Sequence, residues 1–181
     1  MPVTCQELFD RLDRLGIPHR TIEHAAVFTV AESDRLESAL PGAHTKNLFV
    51  RDAKGRLFLV VAESHTEVHL KTLHREIGCG RLSFGRPDLL AEVLGVPPGS
   101  VTALALVNDV EGRVGVVVDA RLMGYDSINC HPLRNTATTN IARDDLMRFM
   151  RATGHEPRVV DLAAPAATEQ PEPANAPPTI A

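Results

Sequence analysis

The chain of 181 residues carries a net charge of −4, is 44% apolar, and has no Trp and one Tyr. Those figures fit one globular domain with a real core. They argue against a protein that grips long nucleic acid by bulk charge, and they leave few aromatic platforms for stacked bases.

The first residues, "MPVTCQELFD", lack the basic, apolar and small-residue order of a secretory signal, and no apolar run approaches the ~20 residues of a membrane helix. Cys5, Cys79 and Cys130 have no CxxC spacing and read as free thiols in a reducing compartment. The expected location is the cytoplasm, with no membrane partner.

Thr4 and Glu7 form a capping box ahead of "ELFDRLDRLG", with Leu8, Leu12 and Leu15 on one face and Gly16 as the stop. Thr29 and Glu32 form a second box in "FTVAESDRL". "TKNLFV" and "RLFLVVA" then flank "RDAKG", a hairpin turn in which Gly55 takes a positive φ. "LFLVV" is apolar on both faces and predicts a central strand. A short helix follows in "TEVHLKTLHREIG", and a further one runs from Pro87 to the stop at Gly95. Strands are expected at "VTALALVND" (101–109), "GRVGVVVD" (112–119), "SINCHP" and "TATTNI". A last helix, "RDDLMRFMRATG", starts at about residue 143 and stops at Gly154, and "EPRVVDL" closes an edge. The stretch 163–181, "AAPAATEQPEPANAPPTIA", holds five prolines and no basic residue, so it reads as a disordered tail. The body is then one domain, 1–162. Interleaved helices and adjacent strand pairs predict an α/β (α+β) fold, a mixed sheet with helices packed around it.

Polar residues concentrate in "INCHPLRNTATTNI". In a strand Ser127, Asn129 and His131 share one face, while Ile128 and Cys130 share the other and belong in the core. The polar face fits a pocket and a structural network equally well. In "GAHTKNLFV", Lys46 stands where a loop enters a strand, beside Asn47 and behind His44; a lone Lys is ordinarily a solvated cation. The turn Pro97–Pro98–Gly99 leaves the backbone N–H groups near Gly99, Ser100 and Val101 as candidates to hold an anion or oxyanion, although alone it reads as an ordinary Pro-Gly turn. His65, His69 and His74 match no metal spacing and are assigned to surface or packing. No serine lies in a GxSxG setting, and Cys130 and His131, as strand neighbours, point to opposite faces.

"EHAAVFTVAES", "HTKNLFVRDAKGRLFLVVA", "LSFGRPDLLAEVLGVPPGSVTALALVND" and "INCHPLRNTATTNIARDDLMRFMRATGHEP" together resemble the YbaK/prolyl-tRNA synthetase insertion-domain superfamily. Within it they look most like the freestanding prolyl-tRNA editing type, ProXp-ala (PrdX). The likeness spans about residues 3 to 162 in collinear order. It implies the fold of that family, a largely antiparallel central sheet with helices around it. It also implies trans-editing, the hydrolysis of alanine mischarged on tRNA for proline. Such a sieve has a physical rationale. A pocket built for proline cannot exclude alanine sterically, and missing methylenes discriminate by only ~1–3 kcal/mol.

By resemblance, Lys46 is the family lysine needed for deacylation, with Asn47 beside it, and His131 is the family histidine of the polar strand. The substrate-binding set takes in Asn47, Gly99, Ser100, Val101, Asn129 and Asn135. The family's GxxxP loop maps onto Gly99–Ala103, and Ala103 stands at the proline position, a departure that bears on loop rigidity and pocket size. Arg51 and Arg81 match positions where the tRNA acceptor stem docks. The resemblance implies water attack assisted by the terminal 2′-hydroxyl, no protein nucleophile, no metal and no cofactor. The implied partners are the aminoacylated tRNA for proline and, transiently, prolyl-tRNA synthetase. A deacylase for cysteine on the same tRNA, and a binding module without turnover, are the competing readings.

Overall fold

The first helix forms as its capping box requires. In the computed structural model, which describes residues 1–26 and 30–163, the Thr4 hydroxyl accepts from Glu7 N–H and the Glu7 carboxylate accepts from Thr4 N–H at 2.8 Å. Helix α1 (Cys5–Arg14) buries Leu8 and Leu12, and Gly16, at φ 64°, turns the chain. It leads into β1 (His19–Glu23), a strand that sequence patterning missed because "HRTIE" is polar and sits at a sheet edge. Thr29, half of the second capping box, and the tail beyond residue 163 lie outside the described residues.

Helix α2 (Val30–Ala39) precedes a hairpin, β2 (Ala43–Asp52) and β3 (Leu57–Glu63). Asp52 fixes the turn. Its buried carboxylate accepts from the N–H groups of Lys54, Arg56 and Gly80 and from Arg56 Nε. Burial opposes the charge, but those bonds prevail and hold the pKa at about 2. Gly55 takes φ 87° at the tip. Then follow α3 (Leu70–Ile77), β4 (Leu82–Phe84), α4 (Pro87–Leu94), β5 (Val114–Asp119), β6 (Ser127–Cys130), β7 (Ala137–Ala142), α5 (Arg143–Ala152) and β8 (Pro157–Val160).

One expected strand is corrected. Residues 101–109 do not form a strand; Ala103–Asn108 wind into a 3-10 helix capped by Thr102, whose hydroxyl accepts from Leu104 N–H. Ala103, Leu104, Ala105 and Leu106 are all fully buried, and a short run buried on every side carries no periodic signal to separate strand from helix.

Described residues form one eight-stranded mixed sheet in the order β1-β7-β6-β2-β3-β5-β8, with β4 attached to β2. Four pairings are antiparallel and three parallel. β3 is central, as its two apolar faces predict, and β8 closes an edge. One sheet face packs against α1, α4, α5 and the 3-10 helix through residues such as Leu12, Leu94, Leu104 and Phe149. The other face is shared: α3 covers Val50, Val60 and Ala62 through Leu73 and Ile77, while α2 stands over the β2–β6–β7 end. Among the described residues no helix is long and apolar enough to cross a membrane.

Candidate functional site

The edge of β2 away from β3 is divided between two partners. β6 pairs in parallel with Ala43 and His44 only, and β4 pairs with Val50 to Asp52 only. Between them, among the described residues, Thr45 to Leu48 carry no strand on that side. Lys46 and Asn47 lie in this gap, inside the strand rather than at its loop entrance, with Lys46 opposite Ala62 of β3.

Strand alternation sets what faces α2. His44 and Lys46 share one face of β2 about 7 Å apart. His44 registers with Asn129 of β6, and Asn129 with Asn140 of β7. At this end of the sheet lies a cavity of about 220 Å³ lined by Leu36 and Glu37 of α2, His44 and Thr45 of β2, Asn129, Cys130 and His131, and Thr138 of β7, so that Thr45 and Cys130, of the opposite parity, reach it as well. Lys46 is not among the lining residues; it follows them along β2 in the gap. Among the described residues it has no hydrogen-bond or ion-pair partner, so its ammonium is uncommitted.

His131 is half-buried. Its Nδ1 lies 3.1 Å from the Ala137 carbonyl, which can only accept, so Nδ1 carries the proton and Nε2 keeps a lone pair. Burial lowers its pKa against that hydrogen bond, and nearby His24 adds to the lowering. The ring is thus neutral near pH 7. His24 is held in place beside it, with Nδ1 donating to Ala25 O and Nε2 against the Thr138 hydroxyl, both at 2.8 Å.

Asn129 is buried and committed to the walls. Its Nδ2 reaches the carbonyls of Pro41 (2.9 Å) and Ala43 (3.2 Å) and the His44 ring, and its Oδ1 accepts from Asn140 Nδ2 (2.9 Å). The side chain ties β6 to β7 and to the start of β2. Thr45 donates to Asn129 O at 2.9 Å, and Asn47 Nδ2 reaches Thr45 Oγ1 at 3.4 Å. Asn47 Oδ1 is buried without a donor, a state that costs about 1–3 kcal/mol unless a ligand supplies one. Burial pushes the Cys130 thiol up to about 12, against a contact with Thr45, so it is no nucleophile near neutral pH.

The turn at 99–101 does not line this cavity. Gly99 takes φ 87°, Ser100 is buried, and Ser100 N–H is taken by Pro97 O at 3.1 Å. Asn135, which is not among the lining residues, stands beside the turn, its Nδ2 3.9 Å from where a Cβ at Gly99 would lie. Arg51 and Arg81 are exposed near the β4 end of β2. Arg51 lies five residues beyond Lys46, about 17 Å along the strand. Arg81 borders a separate cavity of about 380 Å³ with Lys71 and His74.

Sequence reasoning missed six lining residues: Leu36, Glu37, His44, Thr45, Thr138 and Cys130, the last of which it placed in the core. Parity was the available signal for two of them. His44 shares its strand face with Lys46, and Thr138 shares its own with Asn140. For α2 there was none, because its residues meet the sheet only in three dimensions. His65, assigned to surface or packing, also borders this region, with Nδ1 3.1 Å from Glu63 and Nε2 3.7 Å from Glu37.

Residues 24–149 match the family model of the aminoacyl-tRNA editing domain. The chain is 42% identical over 159 residues to "Prolyl-tRNA synthetase associated domain-containing protein 1" of Danio rerio, covering 87% of this chain and 86% of that one. It is 36% identical over 158 residues to "Prolyl-tRNA editing protein ProX" of Acetoanaerobium sticklandii, covering 87% and 96%. Among solved structures, a candidate trans-editing enzyme for prolyl tRNA synthetase superposes with a TM-score of 0.69 over 90% of this chain and 98% of that one; at 21% identity this likeness is one of fold.

Proposed function

The chain belongs to the aminoacyl-tRNA editing domain family, and from that premise we propose that it is a trans-editing hydrolase that removes alanine from mischarged tRNA for proline. The observation that carries the reading is the polar cavity under α2. At about 220 Å³ it falls below the roughly 300–1,000 Å³ typical of drug-sized ligand sites. That volume suits a small aminoacyl group.

In this reading the aminoacyl group enters beneath α2 and the terminal adenosine occupies the gap in β2. Water adds to the ester carbonyl carbon, the bond to the ribose oxygen breaks, and the proton lost by water passes to that oxygen. Free alanine and intact tRNA result. The ester is already activated, so orientation and charge placement carry the rate. Lys46, uncommitted in the gap, meets a phosphate or the polarised ester oxygen. His131 offers neutral Nε2 as an acceptor for the attacking water or the 2′-hydroxyl. Asn47 Oδ1 takes a ligand hydroxyl, which satisfies an otherwise orphaned acceptor. Asn129 holds the wall. Asn135, with Gly99, Ser100 and Val101 behind it, borders the nucleotide end. Arg51 lies further along β2, and Arg81 just before β4, for the acceptor stem. The working unit is the domain 1–162, acting in the cytoplasm on tRNA delivered from prolyl-tRNA synthetase.

Deacylation time courses on alanyl-, cysteinyl- and prolyl-tRNA for proline, with wild type and Lys46→Ala, test the reading. The expected result is rapid loss of alanine only, with Lys46→Ala slower by about 100-fold, the scale of one lost electrostatic group. Equal background rates for both proteins would leave a binding module. Faster loss of cysteine would transfer the activity to that ester.

A further inference from the structure

Glu37 is the one carboxylate lining the cavity among the described residues. It projects from α2 with its side chain only 20% exposed, and its nearest ionic neighbour, His65 Nε2, stands at 3.7 Å. It makes no hydrogen bond among the described residues. Among its fellow lining residues His131 is held neutral, Cys130 is a protonated thiol, Thr45, Thr138 and Asn129 are uncharged, and the His44 ring is turned to Asn129 Nδ2 (3.3 Å) and Leu40 O (3.4 Å) rather than to Glu37. A half-buried carboxylate without a full set of partners faces the space that the proposed substrate fills.

An aminoacyl ester has charge at both ends. Its α-ammonium sits one carbon from the reacting carbonyl, and its phosphates lie beyond the ribose. The protein shows the complementary order, a carboxylate in the cavity and an uncommitted ammonium in the gap of β2. A cation entering a dehydrated cavity requires an anion, or the desolvation opposes binding. Asn47 Oδ1, the other open acceptor nearby, is neutral and lies on the opposite face of β2 from His44.

We propose that Glu37 is the counter-charge for the α-ammonium of the esterified amino acid, so that the cavity takes esters with a free amino group and rejects N-blocked ones such as peptidyl esters. The proposal rests on reading the cavity as the aminoacyl pocket. It adds a selectivity by charge to the selectivity by size.

The test compares three esters of tRNA for proline: alanyl, lactyl (a hydroxyl replacing the ammonium) and N-acetylalanyl. Rates are corrected for uncatalysed hydrolysis and measured for wild type, Glu37→Gln and Glu37→Asp. Wild type should prefer alanyl over both other esters. Glu37→Gln should lose about 30-fold in kcat/KM on the alanyl ester, the scale of one charge-assisted hydrogen bond, but less than about 3-fold on the lactyl ester. Glu37→Asp, which keeps the charge, should recover part of the alanyl rate. Equal loss on alanyl and lactyl esters would make Glu37 a prop for α2, and no loss on alanyl would remove it from the site; either result overturns the proposal. If wild type is inactive on every charged tRNA, the deacylase reading fails first and takes this proposal with it.

Discussion

Two halves of one sheet face obey different rules. Under α3, Val50, Val60 and Ala62 meet Leu73 and Ile77, all at 6% exposure or less. Under α2, the same strand β2 presents His44 and Lys46, and its neighbours present Asn129, His131, Thr138 and Asn140. The two helices differ as their strands do. Leu70, Leu73 and Ile77 repeat at helical spacing in α3, whereas α2, "VAESDRLESA", has a single leucine. The apolar half closes without a gap because both sides offer alkyl groups. The polar half cannot close in that way, and a cavity remains where a helix without an apolar stripe bridges hydrogen-bonding walls. The proposed function occupies the half that gives up burial.

The comparison breaks most visibly in the apolar half. Leu73→Ala should cost about 2–5 kcal/mol in a urea titration, the usual range for a buried leucine. Deacylation per folded molecule should stay at the wild-type level. Activity lost ahead of unfolding would mean that the halves are coupled through β2 and that the division is false. Asn129→Ala addresses the other side. It takes the Asn129 donor from Pro41 O and Ala43 O and the Oδ1 acceptor from Asn140 Nδ2, which keeps only Ser127 Oγ and Pro41 O, so roughly 1–3 kcal/mol of stability should go. Here activity should fall with stability, because the residue that ties the walls together also shapes the cavity. Full activity in Asn129→Ala would reduce the network to an edge-strand fastening.

The apolar half was the legible one. Capping pairs, glycine stops and period-two runs located the helices and most strands from sequence, because each signal is local. The 3-10 helix at Ala103–Asn108 escaped because burial on all sides erases periodicity. β1 and β4 escaped because they are short and polar or exposed at the edge. In the polar half, alternation alone put Asn129 and His131 on one face, and resemblance supplied Lys46. What no local pattern held was the gap in β2, which exists only because β6 and β4 take opposite ends of that strand. Glu37 and Leu36 were hidden for the same reason: α2 meets the cavity across the sheet, with no sequence spacing to announce it. The turn at 99–101 offers a candidate anion site in sequence but alone reads as an ordinary Pro-Gly turn, and Ser100 N–H is bonded within it.

The finest division concerns two histidines at the edge of the polar half, and it predicts opposite pH slopes. His131 has its pKa lowered by burial from an ordinary value of 6.5. As pH falls, the unfolded chain takes up this proton before the folded one. Its contribution to stability is therefore complete above about pH 6.5 and is lost as pH drops through the folded value. His65 has its pKa raised from the same value, chiefly by its hydrogen bond with Glu63. Its contribution is complete below about pH 6.5 and is lost as pH rises through the folded value. Glu63 stays ionised through this window, since its pKa is lowered: hydrogen bonds from His65 and Ser64 outweigh the effect of burial. Thermal melts of wild type, His131→Gln and His65→Gln between about pH 5.5 and 8 separate the two by the sign of the slope. The Tm gap between wild type and His131→Gln should narrow toward acid, and the gap for His65→Gln should narrow toward alkali. The second change is the smaller, because the His65 side chain is 69% exposed and solvent screens its pair with Glu63. A His131 gap that widens toward acid would mean that the ring carries its proton in the cavity. It could then no longer offer Nε2 as an acceptor, and the cavity would hold a cation beside the site where Glu37 is to receive one.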